Sequence, residues 1–391
     1  MPELFETHEL RRFLPLPYEA AAEPRLRRAQ RRLQQGEPRM GWVRLPGEGT
    51  ALLRLYTLAE SIRAQGHTLL VVEDGGLRGG VGGVAALLGG ETGRLRFLSG
   101  LPSAGELEEA LEETARGTAV LYAAGGEDSP AFRRLREAMT ERHGDEAGRY
   151  VLVAGDLSSG EYGGFGLLTA AGLLPMAVAG VDVGGLLSGA MAMRERCAAA
   201  SFENPAWRYA AARRQLCRAG YVVELLGCWD ARLVPLLEWA KGLFAAAEGK
   251  EGKALFPVVV DYSREFRSLG QYIQEGPRLF FETVVRLEDG EREDPLSSLR
   301  AAAVEGTMLA HTDSGVPNLI LRPGGESPET LGGLIYFLQY ACGLSACLLD
   351  ADPLACPGVE ACEARIRKLL PSERGESFRR AMAQAMGQGI L

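Results

Sequence analysis

Apolar strand-like runs alternate with helical patterns along most of this chain, and that alternation constrains the fold more than any other feature. HTLLVVE (67–73), LRFLSG (95–100), TAVLYA (118–123) and RYVLVAG (149–155) read as buried strands. Helical stretches separate them. Ser103 is placed to cap GELEEALEETA with Glu106 closing a capping box, and a second helix runs from Pro130 to His143. Strands and helices in this order are the signature of a parallel sheet wrapped by helices. After a glycine-rich middle, 155–200, a similar series returns: YVVELL, LFPVVVDY, FFETVVRL and VPNLILR read as strands. Between them lie NPAWRYAAARRQLCRAG, with Asn204 as cap and Pro205 at the first helical position, and ARLVPLLEWAKGLFAAAEG. The long helical run SPETLGGLIYFLQYACGLSACLL follows the last strand, and a final helix starts at Pro357. Three divisions follow: an arm of helices over 1–45, a first α/β unit over 46–200, and a second over 201–391 that includes the last helix.

The balance of residues excludes several classes. The 391 residues are 46% hydrophobic and 24% charged, as in an ordinary globular protein long enough for two domains. The first residues, MPELFETHELRRFLP, hold no apolar core of the kind a signal peptide needs, so a cytoplasmic protein is expected. The apolar run LLTAAGLLPMAVAGV is broken by Pro175 and glycines, which argues against a membrane span. A net charge of −8 argues against nucleic acid as a partner. PRLRRAQRRLQ, near the start, is basic and reads as a solvated helix face. Seven cysteines without C-x-x-C spacing, and only four histidines, leave no metal site to propose; the cysteines read as reduced core residues.

One turn poses a question. AAGGEDSP (123–130) passes from strand to helix, where backbone N–H groups and the helix dipole make a ready seat for a phosphate. Yet it carries Glu127 and Asp128, which repel an anion. EDGGLRGGVGG, after the first strand, lacks the G-x-G-x-x-G spacing of a dinucleotide site. Taken alone, Glu275 in SLGQYIQEG reads as a surface glutamate. His311 in EGTMLAHTDSGVPNL, ringed by small polar residues, reads equally as a core or a functional histidine.

Taken together, these stretches are recognisable. GWVRLP (41–46), LTAAGLLPMAVAGVDV (168–183), NPAWRYAAARRQL (204–216), DYSREFRSLGQYIQEG, FFETVV, GTMLAHTDSGVPNL and PGVEA (357–361) follow in the order seen in bacterial glucose-6-phosphate isomerases, which the chain resembles over nearly its whole length. The resemblance implies an α/β fold of two sugar-isomerase domains, doubly wound parallel sheets with helical N- and C-terminal extensions, acting as a homodimer without metal or other cofactor. It implies isomerisation of glucose 6-phosphate to fructose 6-phosphate. By position, Glu275 is the base that moves a proton between C1 and C2, His311 assists ring opening from the partner subunit, and Gln271 is a substrate-binding neighbour.

Departures from the family answer the question of the acidic turn. The family's first phosphate-side loop, G-I-G-G-S-Y-L-G, appears as Glu73-Asp74-Gly75-Gly76-Leu77-Arg78: the glycines remain and the serine does not. Of the second loop, S-K-S-G-T-T-T-E-P, only Gly125 and Pro130 align well, with Ser129 as the one hydroxyl. Gly164 stands where the family has an arginine that stabilises the enediolate, and Glu363 replaces a lysine. Hydrogen bonds to a charged group contribute roughly 1.5–3 kcal/mol each, so losing three or four removes about 5–10 kcal/mol, against about 8 kcal/mol for micromolar binding. The expected protein is therefore an isomerase relative with weak or lost activity, binding a sugar phosphate poorly. The alternative is a non-catalytic regulatory relative that binds a different small molecule.

Overall fold

The computed structural model describes residues 4–14, 18–35, 38–45, 52–73, 76–125, 127–156, 162–288 and 295–369. The chain begins with β1 (Phe5–His8), α1 (Tyr18–Gln34) and α2 (Leu52–Ala64). The first sheet uses β2 (Thr68–Glu73), β3 (Leu95–Ser99), β4 (Ala119–Ala123) and β5 (Val151–Val153). Its crossovers are α3 (Leu77–Leu87), α4 (Ala104–Arg116) and α5 (Pro130–His143). All its pairings are parallel, in the order β3-β2-β4-β5. The glycine-rich middle folds into α6 (Ala170–Val178) and α7 (Val183–Ala198), followed by α8 (Pro205–Arg218).

The second sheet contains β6 (Val223–Cys228), β7 (Phe256–Asp261), β8 (Phe280–Leu287) and β9 (Asn318–Gly324). Between these lie α9 (Val234–Glu248), α10 (Tyr262–Glu265), α11 (Leu269–Glu275) and α12 (Pro295–Asp313); α13 (Pro328–Leu348) and α14 (Pro357–Leu369) follow. The order is β1-β9-β8-β6-β7, parallel except for β1. The N-terminal segment is thus not only helical. Its strand runs antiparallel to β9, satisfies that strand's outer backbone groups and sinks Phe5 against Tyr209, ring centroids 5.6 Å apart.

The local signals act as the sequence implies. Ser103 and Glu106 form a reciprocal capping box on α4, and the Asn204 side chain accepts from the backbone N–H groups of Ala206 and Trp207 at the start of α8.

One continuous core joins the helices lying between the two sheets, from Leu26 on α1 through Val81, Leu173, Leu186, Trp207 and Trp239 to Phe337 on α13. A smaller cluster of Leu70, Leu121, Phe132 and Leu135 covers the far face of the first sheet, and Ile273, Val304, Met308 and Ile320 cover that of the second. Helix α13 is long and apolar enough to cross a membrane, but 94% of that stretch is buried inside the protein, and it is the central core helix. It meets α7 backbone to backbone. A Cβ added at Gly189 would fall 1.8 Å from the Glu329 carbonyl oxygen, and one at Gly332 would fall 1.8 Å from that of Leu186. The Arg213 guanidinium of α8, fully buried, bonds Glu224 of β6 and Glu248 of α9 at 2.7 Å each and fastens the second sheet to this layer.

The cysteines are free, and four of them, Cys197, Cys228, Cys342 and Cys347, are buried. Cys362 departs from the expected core placement: it lies exposed on α14, a helix with no buried residue.

Candidate active site

In an open parallel sheet, ligands seat beyond the carboxyl ends of the strands where neighbouring connections run opposite ways. In the first sheet that place lies between β2 and β4. These strands pair with Val72 opposite Ala123, and one leads toward β3 while the other leads toward β5. The turn after β2 enters α3 with Gly76 at the N-cap. Gly75 lies outside the described residues. The Glu73 carboxylate turns back and accepts a hydrogen bond from the Leu77 backbone N–H at 2.8 Å. A side-chain anion therefore occupies a helix-terminal donor of the kind that would hold a phosphate.

The turn after β4 is likewise engaged. Gly125 has φ 112°, a conformation that disfavours any side chain. Ser129 is buried, and its hydroxyl accepts from the Phe132 backbone N–H at 3.2 Å as the N-cap of α5. The one hydroxyl left in the loop is thus a structural cap. Beside it, one carboxylate oxygen of Asp128 is buried without a hydrogen-bond partner among the described residues.

Glu275 and His311 belong to the second sheet's outer layer, on the segments that lead into β8 and β9. One side chain ties these segments together. The Arg278 guanidinium donates to the carbonyls of Gln274 in the last turn of α11 and of Gly276 just after it, each at 2.6 Å, and to that of Ser314 after α12 at 2.6 Å. Arg278 is committed to these carbonyls and does not replace the arginine absent at Gly164.

The two family side chains have opposite surroundings. Glu275 and Gln271 are exposed, whereas His311 is 3% exposed. His311 Nδ1 lies 3.1 and 3.0 Å from the two carboxylate oxygens of Glu282. A carboxylate only accepts, so Nδ1 carries the proton and Nε2 is the remaining nitrogen of the ring. Glu282 is itself buried and also accepts from the Tyr262 hydroxyl. Burial first, and Glu282 second, hold that phenol well above its ordinary pKa.

Gly164 keeps its place against the second unit, its carbonyl accepting from Trp239 Nε1 at 3.0 Å. Glu363 stands half-buried on α14. Sequence reasoning passed over Glu282 and Tyr262. The available signal was an acid in the apolar strand FFETVV, where a charge has no solvated face and requires an internal partner. Among the described residues no group of three metal-ligating side chains gathers.

No protein-family model matches the chain. A glucose-6-phosphate isomerase from Heliobacterium modesticaldum is 34% identical over 393 residues, covering 84% of this chain and 87% of the relative. One from Symbiobacterium thermophilum is 33% identical over 426 residues, covering 94% of each. Among solved structures, a hypothetical protein from Thermus thermophilus superposes with a TM-score of 0.79 at 21% identity, covering 93% of this chain and 99% of that one. A glucose-6-phosphate isomerase from Chlamydia trachomatis superposes at 0.72 with 14% identity, covering 92% and 87%. At such identities the two superpositions speak for the fold alone.

Proposed function

Because the chain belongs to the glucose-6-phosphate isomerase family, we propose that it keeps that family's proton-transfer pair in a pocket no longer built to grip a phosphate ester. Glucose 6-phosphate and fructose 6-phosphate then interconvert at least about a thousandfold more slowly than in a competent enzyme. The observation that carries this reading is the Glu73 carboxylate on the Leu77 amide. A phosphate entering there meets a negative charge already bonded to the donor it needs, and the turn after the neighbouring strand carries Asp128. The Ser129 hydroxyl is committed to α5.

In the residual reaction, Glu275 takes the proton from C2 of the opened aldose and returns it to C1, while the proton on the C2 hydroxyl passes to O1 as the carbonyl shifts from C1 to C2, with no net oxidation. Its exposure leaves it open to substrate but without the desolvation that would strengthen it as a base. His311 would pass the ring-opening proton through Nε2, oriented by Glu282. Its burial against Glu282 within one chain is a second brake on turnover. Gly164 and Glu363 supply no cation for the enediolate or the ring oxygen. The family assembly, a homodimer in which His311 serves the partner's site, finds support in the exposed apolar residues Phe266, Tyr272 and Leu299 on and beside α11 and α12.

A second reading, a non-catalytic relative that binds an uncharged or cationic small molecule, is favoured by the unpartnered Asp128 oxygen, which would accept from a hydroxyl or an ammonium group. A coupled assay in both directions, with Glu275→Gln as control, decides between them. Residual turnover that Glu275→Gln removes supports the slow isomerase, and none above that control supports the second reading. Robust turnover abolished by Glu275→Gln overturns both.

A further inference from the structure

The basic stretch PRLRRAQRRLQ is not merely a solvated face. Arg25, on the α1 face turned toward α8, joins Arg214 and Arg218 in lining a pocket between the two helices. The small side chains of Ala21, Ala22 and Ala211 leave the concavity, and Gln215 adds an amide. Three arginines thus line one open hollow in a chain whose net charge is −8, two of them exposed to solvent. None of the three has an ion pair or hydrogen bond among the described residues, whereas Arg27, on the same helix as Arg25, is paired with Glu23. The Nε of Arg214 is also buried with no partner among the described residues. Convergent, unpaired like charges around a cavity are unfavourable in the absence of a counter-charge, and a buried guanidinium nitrogen left unbonded adds to that cost.

We infer that the hollow between α1 and α8 is an anion site for a small phosphate-bearing molecule, bound by the guanidinium forks of Arg25, Arg214 and Arg218. Planar guanidinium groups suit phosphate oxygens because each presents paired N–H donors. The chain's overall negative charge disfavours a nucleic acid as the occupant, whereas a small dianion fits within the local positive field. Burial, followed by the charges of Arg214 and Arg25, lowers the Arg218 pKa, so the three guanidinium groups lie close enough to repel one another. The site is separate from the turns after β2 and β4, so it stands whether or not the slow-isomerase reading does.

Titration calorimetry on the full chain with inorganic phosphate and with pyrophosphate tests the site, at fixed ionic strength. Pyrophosphate is expected to bind, and Arg25→Gln and Arg218→Gln are each expected to weaken it by roughly tenfold to a hundredfold. Arg78→Gln, in the first turn of α3 beside the turn after β2, should leave this affinity unchanged; a loss there instead would place the anion in the family pocket and overturn the inference. So would undiminished binding in both arginine variants, or no binding to the parent chain. Thermal stabilisation by chloride equal to that by pyrophosphate would reduce the effect to charge screening and also overturn it. If Arg214→Gln fails to fold, the two exposed arginines still decide the matter.

Discussion

His311 Nδ1 stands 3.0 Å from the Glu282 carboxylate, deep beneath the apolar cover of α12, and the Tyr262 hydroxyl donates to the same carboxylate. This buried chain of three polar groups is satisfied only while Glu282 accepts from both sides. Glu282→Gln replaces the charged acceptor with an amide whose single oxygen accepts while its NH2 only donates. Urea unfolding should show a loss of about 1–3 kcal/mol. A variant as stable as the parent would show that the pair contributes nothing to the fold.

A pH dependence is expected from the opposite end of the molecule. The His67 ring lies 5.8 Å from Tyr150, which stacks on His143 at 3.9 Å. Burial, and then the neighbouring His143, lower the His67 pKa below its ordinary 6.5. The folded state thus favours neutral His67, and the unfolded chain takes up protons first as pH falls. Stability from this group is complete above about pH 6.5 and is lost as pH falls through the lowered folded value. Melting temperatures measured from pH 8 to 5 should decline in that window, and His67→Phe should flatten the decline. Parallel curves would refute the assignment.

Two glycine substitutions should act in opposite directions. Gly189→Ala forces the Glu329 backbone away from α7 and should cost about 3 kcal/mol or more, at or above the upper end for overpacking. Gly242→Ala, on the exposed face of α9 with nothing within 4 Å of the added methyl, should gain about 0.4–1 kcal/mol. Chemical denaturation of the two variants reads both, and an equal effect would deny that α7 and α13 are in backbone contact.

Much of the architecture was legible because the cues were local. Ser103 with Glu106, and Asn204 with Pro205, set helix starts within a few residues, and continuous apolar runs such as TAVLYA had no alternative to a covered strand. The β1 strand was not legible. FETH is short and polar, and only the distant β9 edge makes it a strand. In the site, the departures at Glu73 and around Ser129 were visible, but the roles of these residues were not. That a carboxylate bonds the Leu77 amide, or that a hydroxyl becomes a cap, depends on where the turn places it in space. Glu282 and His311, 29 positions apart, form a pair only through the parallel register of β8 and β9.

The seam at Gly189 and Gly332 has a mechanical consequence. Many two-lobed proteins swallow their ligands by swinging one lobe against the other. Here α7 and α13 meet glycine against carbonyl oxygen at two points, a contact that leaves no slack for the two helices to slide past one another.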